Sequence, residues 1–171
     1  MDNGTMTIVL RLIHILAGIF WVGTMFLLAG FLIPTVRETG REGGRFMQHL
    51  MQQRRLQVFL GLAMLLTVLT GVIMYARLAS ATHGAWAGTG PGIAYGVGAI
   101  AAIVAAAVGG IVGSSAGRRM LALGQAVRSG GPTPEQQAEI ARLQGRMSLA
   151  ARVGATLLAI AAGAMAIGRY L

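Results

Sequence analysis

The sequence predicts an all-α integral membrane protein: a four-helix bundle with up-down-up-down topology and helical extensions on its cytoplasmic side. Three observations carry that reading. Of 171 residues, 55% are hydrophobic and only 11% are charged, against about 25% charged in an ordinary soluble domain. Four apolar stretches, residues 12–33, 56–76, 92–115 and 150–169, approach or reach the ~20 residues a helix needs to cross hydrocarbon. The arginines collect between those stretches. Mean hydropathy is +0.68.

Backbone inside lipid must satisfy its own hydrogen bonds, so a spanning segment is either a helix or part of a closed barrel. The stretches show no two-residue alternation, which selects helices. The fourth is the most marginal, because Arg152 lies within it and must snorkel. No cleaved signal peptide is expected. The leader Met1-Asp2-Asn3-Gly4 has no basic residue, and the first apolar run is longer than a signal core.

The net charge of +9 comes from fourteen basic residues, all arginine. In a soluble chain an isoelectric point near 11.8 would point to nucleic acid. Here the arginines flank apolar runs, which points to topology and to membrane lipids with anionic headgroups as partners, and not to nucleic acid. The first connection holds Arg37, Arg41, Arg45, Arg54 and Arg55. The third holds Arg118, Arg119, Arg128, Arg142 and Arg146. The second holds only Arg77. By the positive-inside rule both arginine-rich connections are cytoplasmic and both termini lie outside. Tyr75, Trp86, Tyr95 and Tyr170 all fall at the opposite boundary, as an aromatic belt would.

The connections have structure of their own. Gly40, Gly43 and Gly44 mark a turn, after which 45–55 is basic and amphipathic, with Phe46, Met47, Leu50 and Met51 on one side. That stretch either lies on headgroups or forms the base of the second helix. In the third connection Gly117 to Arg128 continues the third helix to a Gly130-Gly131 turn. Thr133 then reads as an N-cap, with Pro134 in the first turn and Gln136 completing a capping box. Residues 116–148 are therefore expected to form a cytoplasmic helical hairpin, in one transmembrane domain that covers 1–171.

Small residues recur at four-residue spacing at Gly92/Gly96, at Gly109/Gly113/Gly117 and at Ala155/Ala159/Gly163. Such ladders let helices approach closely. The expectation is packing inside one bundle, with a homo-oligomer or larger membrane complex as the alternative. The second helix adds Gly61, Thr67, Thr70 and Gly71 as a packing surface.

There are no cysteines, so disulfides, thiolate metal sites and cysteine nucleophiles are excluded. No phosphate loop, acyl-transfer triad or paired carboxylates occur. All five acidic residues lie outside the apolar stretches, which disfavours a proton-coupled transporter.

One face of the first helix gathers the candidate site. Positions 11, 14, 18, 21, 25, 28 and 32 share that face. It carries Arg11, His14, Gly18 and Trp21. Ionisable residues within a span usually face the bundle interior and are functional candidates. Two readings of His14 stand side by side. It either bonds a carbonyl or hydroxyl of a neighbouring helix, Thr70 for example, or it is a ligand. As a ligand it would hold haem b or copper, paired with His83 or Met74, the other donors at that end. Gly18, one turn away, would leave room for a flat macrocycle. Arg11 reads as an interfacial anchor, and most of the ten methionines read as apolar filler.

The segment His14-Ile15-Leu16-Ala17-Gly18-Ile19-Phe20-Trp21-Val22-Gly23, followed by Pro34 and a basic turn, resembles the first helix of the CopD-like class of small bacterial multi-helix membrane proteins. That class includes copper-resistance protein D and, more distantly, the HemJ-type protoporphyrinogen oxidases. Gln53-Arg54-Arg55 and Trp86…Gly90-Pro91-Gly92 resemble uncharacterised relatives of the same class. The resemblance implies haem binding with His14 as the matching ligand, or passage of copper. The residues themselves point first to a non-enzymatic membrane subunit or scaffold, with a haem b or copper protein centred on His14 as the alternative.

Overall fold

The structure is a computed structural model that describes residues 3–126, 131 and 133–171. Among these, helix accounts for nearly everything. The order is α1 (Asn3–Leu27), a π-helical turn (Leu28–Leu32), α2 (Ile33–Glu38), α3 (Arg41–Gln48), a second π turn (His49–Gln53), α4 (Leu56–Ala81), a short 3-10 turn (Ala85–Gly88), α5 (Gly90–Ala126) and α6 (Pro134–Gly168). Four helices, Gly4–Thr39, Leu56–Ala81, Gly90–Gly124 and Pro134–Gly168, are long and apolar enough to cross a membrane. The chain is a multi-pass, all-α membrane bundle.

The bundle is two hairpins, α1 with α4 and α5 with α6, and α5–α6 is the more extensive pairing. Their exteriors are apolar. Ile19, Phe31, Val58, Ile100 and Ile111 are each more than 60% exposed, which a water-facing surface would not tolerate as a continuous belt. The core between the hairpins is built from alanines around two large side chains, Trp21 at 3% exposure and Leu158 at 1%. Alanine brings the backbones close, and two bulky residues fill what remains.

The first helix runs on past Pro34, which the apolar stretch placed at its end. Proline lacks an N–H and clashes with the preceding turn of an α-helix. The π turn at Leu28–Leu32 resets the ladder just upstream, with the Ile33 N–H reaching the Leu28 carbonyl. Thr35 Oγ1 donates to the Phe31 carbonyl at 2.8 Å. Helix then continues to Glu38, and the real turn is at Gly40, φ 57. Gly43 and Gly44 are not part of that turn but lie within α3. Gly43 packs on Val36, and a Cβ there would collide with Thr39 Oγ1 and stand 2.8 Å from the Val36 Cα. The basic stretch 45–55 is likewise not the base of α4. The chain breaks at Arg54–Arg55, with Arg55 at φ 53, and α4 starts afresh at Leu56.

Helices α5 and α6 extend beyond the bundle as a hairpin. It has its own small core, Ala116, Leu123 and Leu143, with Met120, Ile140 and Met147 against it. An exposed bidentate pair crosses it, Arg119 Nε and Nη2 donating to Glu139 at 2.7 and 3.1 Å. The Arg119 hydrogen bond holds the Glu139 carboxyl below its ordinary range. The Thr133 capping box is complete: Gln136 N–H donates to Thr133 Oγ1 at 3.3 Å, and Thr133 N–H donates to Gln136 Oε1 at 3.0 Å. Gly131 has φ 79. Arg128 and Gly130 lie outside the described residues, as do Met1 and Asp2 of the leader.

The small-residue ladders divide: Gly92, Gly96 and Ala155 pack inside the bundle, whereas the other glycines of the ladders do not. A Cβ at Gly109, Gly113, Gly117 or Gly163 would meet nothing within 4 Å. The close α5–α6 approach is made instead at Gly98, whose added Cβ would stand 3.2 Å from the Ala161 carbonyl oxygen, and at buried Ala101, Ala105, Ala155 and Ala161. Four-residue spacing places glycines on one face; which face meets the partner helix is set by the larger neighbours.

Candidate functional site

The two hairpins part at the end that carries both chain termini. Arg11, His14 and Ile15 of α1, the Thr67–Leu78 side of α4, Trp86 of the 3-10 turn, and Tyr95 and Ala102 of α5 enclose a cavity of ≈ 360 Å³. Its walls are overwhelmingly apolar, and the volume sits within the range of small-molecule sites.

His14 is placed by the pairing of α1 with α4. Its Nδ1 lies 2.8 Å from the Thr67 carbonyl oxygen and 3.2 Å from Thr70 Oγ1. A carbonyl only accepts, so Nδ1 carries the proton and donates it. Thr70 gives its own hydroxyl proton to the Leu66 carbonyl at 2.6 Å, and Thr67 Oγ1 gives its proton to the Ala63 carbonyl at 2.7 Å. Inside an α-helix the Thr67 carbonyl is normally screened by the residue one turn on. That residue is Gly71. A Cβ there would sit 2.8 Å from His14 Cε1 and 3.3 Å from Nδ1, so the missing side chain is what lets an imidazole from another helix reach the carbonyl. The bond is the one expected of a histidine that joins helices, and it leaves the other ring nitrogen uncommitted. Among the described residues no fully buried side-chain nitrogen or oxygen lacks a partner. Nε2, to which no protein group donates or accepts among those residues, is therefore not fully buried, and His14 itself lines the cavity.

The other sequence candidates divide. Met74 lines the cavity beside His14, and Arg11 is exposed at its rim. His83 is exposed on the second connection at φ 49 and does not line the cavity. Of the two partners considered for His14, Met74 shares its cavity and His83 does not. Gly18 and Trp21 are not cavity residues. The space Gly18 vacates is taken by Thr67, whose Cγ2 would lie 3.6 Å from an added Cβ, so no slot for a macrocycle opens there. Trp21 is the centre of the bundle core. Among the described residues no group of three His, Asp or Glu side chains gathers to hold a metal ion.

Of the four aromatic residues expected as a belt, Tyr75, Trp86 and Tyr95 form a cluster, and Tyr170 stands apart and exposed. Tyr75 meets Trp86 edge-on at 5.3 Å, and Trp86 stacks on Tyr95 at 6.1 Å. Tyr75 Oη donates to the Gly92 carbonyl at 3.3 Å. Gly92 is buried against the Ala85–Gly88 turn, where an added Cβ would collide with the Trp86 carbonyl. Gly71 and Gly92 thus shape the site, and sequence reasoning saw one as packing and the other as part of a ladder. The signal in both cases was a glycine one turn from a polar or aromatic candidate. Comparison of the chain with protein-family models, with curated proteins and with solved structures finds no match in any of the three.

Proposed function

We propose that this chain is a non-enzymatic membrane subunit or scaffold of the bacterial inner membrane, with both termini outside. The observation that carries the reading is the use made of the best chemical candidates: His14 donates to the Thr67 carbonyl at 2.8 Å, and Trp21 is 3% exposed in the core. Both fasten helices together. The separate core of the α5–α6 hairpin supports a protruding element that presents Arg118, Arg119, Arg142 and Arg146 on the cytoplasmic side, where anionic lipid or a partner would meet it. The uncovered Gly109–Gly117 face supports association with a second copy or a larger complex.

Two experiments follow. His14→Ala is expected to cost about 0.6–2 kcal/mol, the range for polar contacts between helices in membranes, with helical content retained. Reversible unfolding in mixed micelles reads it; a wild-type-like transition contradicts a fastening role. Reporters fused to either terminus are expected to be periplasmic. Cytoplasmic labelling of both termini overturns the orientation and leaves the four helices intact.

A second reading is a haem b or copper protein centred on His14. The observation favouring it is that His14 and Met74 line one cavity, with Nδ1–H held by a carbonyl as a metal-ligating histidine's usually is. Imidazole and thioether suit either group, which would supply electron transfer or copper handling. Likeness of the His14–Gly23 segment to the CopD-like class supports the same reading. His14→Ala would then abolish a Soret band or bound copper.

A further inference from the structure

The cavity between the hairpins has features that the scaffold reading leaves unused. Its interior offers one strong hydrogen-bond acceptor and no acidic group. His14 lines the cavity, and with Nδ1–H held on Thr67 the neutral form of its ring has the Nε2 lone pair to offer a donor. An apolar pocket whose one imidazole stands among few other polar groups, the Tyr75 and Tyr95 hydroxyls included, is complementary to an apolar molecule with an O–H or N–H donor. One wall is aromatic, formed by Tyr75, Trp86 and Tyr95 with ring centroids 5.3 and 6.1 Å apart, which suits a flat ring in offset or edge contact. Arg11 stands on the same helix face one turn beyond His14, about 4.5 Å along the axis, and is a donor for an oxygen on the far side of such a ring. The cavity lies at the seam of the two hairpins, among residues whose outer faces are apolar and exposed, including Ile15, Val72 and Ile103. A rim of this kind suits a molecule dissolved in the bilayer.

We infer that this cavity takes the head ring of a membrane-soluble phenol or hydroquinone, its hydroxyl donating to His14 Nε2 and its face lying along Tyr75, Trp86 and Tyr95. The inference rests on the scaffold reading, in which His14 is not a metal ligand, and it concerns binding alone. A long-chain acid would satisfy Arg11 but would leave the aromatic wall without a planar partner and Nε2 without a donor once ionised.

The test uses the full chain in phosphatidylcholine nanodiscs. The chain has two tryptophans, so Trp21→Phe, which keeps an aromatic ring in the core, leaves Trp86 as the sole reporter. A short-chain benzoquinol held reduced is expected to quench Trp86 saturably. Its dimethyl ether, which lacks the donor, is expected to bind about tenfold more weakly, the scale of one lost hydrogen bond. His14→Leu is expected to reduce the quinol's affinity to that of the ether while leaving the ether's own affinity unchanged, so loss of fold and loss of the acceptor are told apart. Dodecanoate is expected not to compete. Equal binding of quinol and ether, or effective competition by dodecanoate, overturns the inference and marks the cavity as a general lipid crevice, without touching the scaffold reading. A purified protein that carries haem or copper on His14 overturns both.

Discussion

Trp21→Ala is expected to destabilise the bundle by about 3 kcal/mol, the low end of the range for truncating a core tryptophan. The low end is appropriate because the surrounding solvent is itself apolar: lipid tails rival the core as an environment, so the loss is one of packing. Trp21 fills the space among Ala63, Ala101, Ala102, Ala105, Leu158 and Ala161, contributed by α4, α5 and α6. Small residues cannot swing inward to close the hole. Unfolding in mixed micelles measures the cost. A change below ~0.5 kcal/mol would show that the hairpins do not depend on this contact.

Gly92→Ala is expected to cost about 3 kcal/mol, at the top of the range for overpacking. The new methyl would collide with the Trp86 carbonyl and stand 2.8 Å from the Ala87 Cα and 3.0 Å from its carbonyl carbon. These are backbone atoms, so no side chain can rotate away and the whole Ala85–Gly88 turn must shift. Trp86 moves with it, and the Tyr75–Trp86–Tyr95 cluster opens. The measurement is stability together with the emission maximum of Trp86 in the Trp21→Phe background. Gly61→Ala is the control, since a Cβ there meets nothing within 4 Å. Equal tolerance of both substitutions would contradict the described packing.

The four helices were legible because lipid imposes a length and composition rule that acts on each segment alone. The Thr133 cap was legible for the same reason: its hydrogen bonds span three residues of one strand of sequence. The shared face of Arg11, His14, Gly18 and Trp21 followed from helical periodicity, and the structure turns His14, Trp21 and Leu28 of that face inward. What periodicity could not assign was the use of each position. Gly18 reads as room for a ligand until Thr67 occupies it. Gly71 reads as a packing glycine until an imidazole crosses it to a carbonyl. Both outcomes depend on the rotation of α4 against α1, a pairwise quantity that no single helix encodes. The uncovered Gly109/Gly113/Gly117 ladder has the same cause. Pro34 is a separate lesson. Proline stops an ideal α-helix, but one π turn upstream re-registers the hydrogen bonds and lets the helix pass through it.

The claim that His14 fastens helices and does not ligate a prosthetic group is tested most directly on the wild-type protein. Cells supplied with both haem and copper are used for expression, and the purified chain is examined by absorption spectroscopy and metal analysis. The account predicts a colourless protein without stoichiometric copper, from which His14→Ala differs only in stability. A Soret band or one bound copper per chain, lost in His14→Ala, would contradict it.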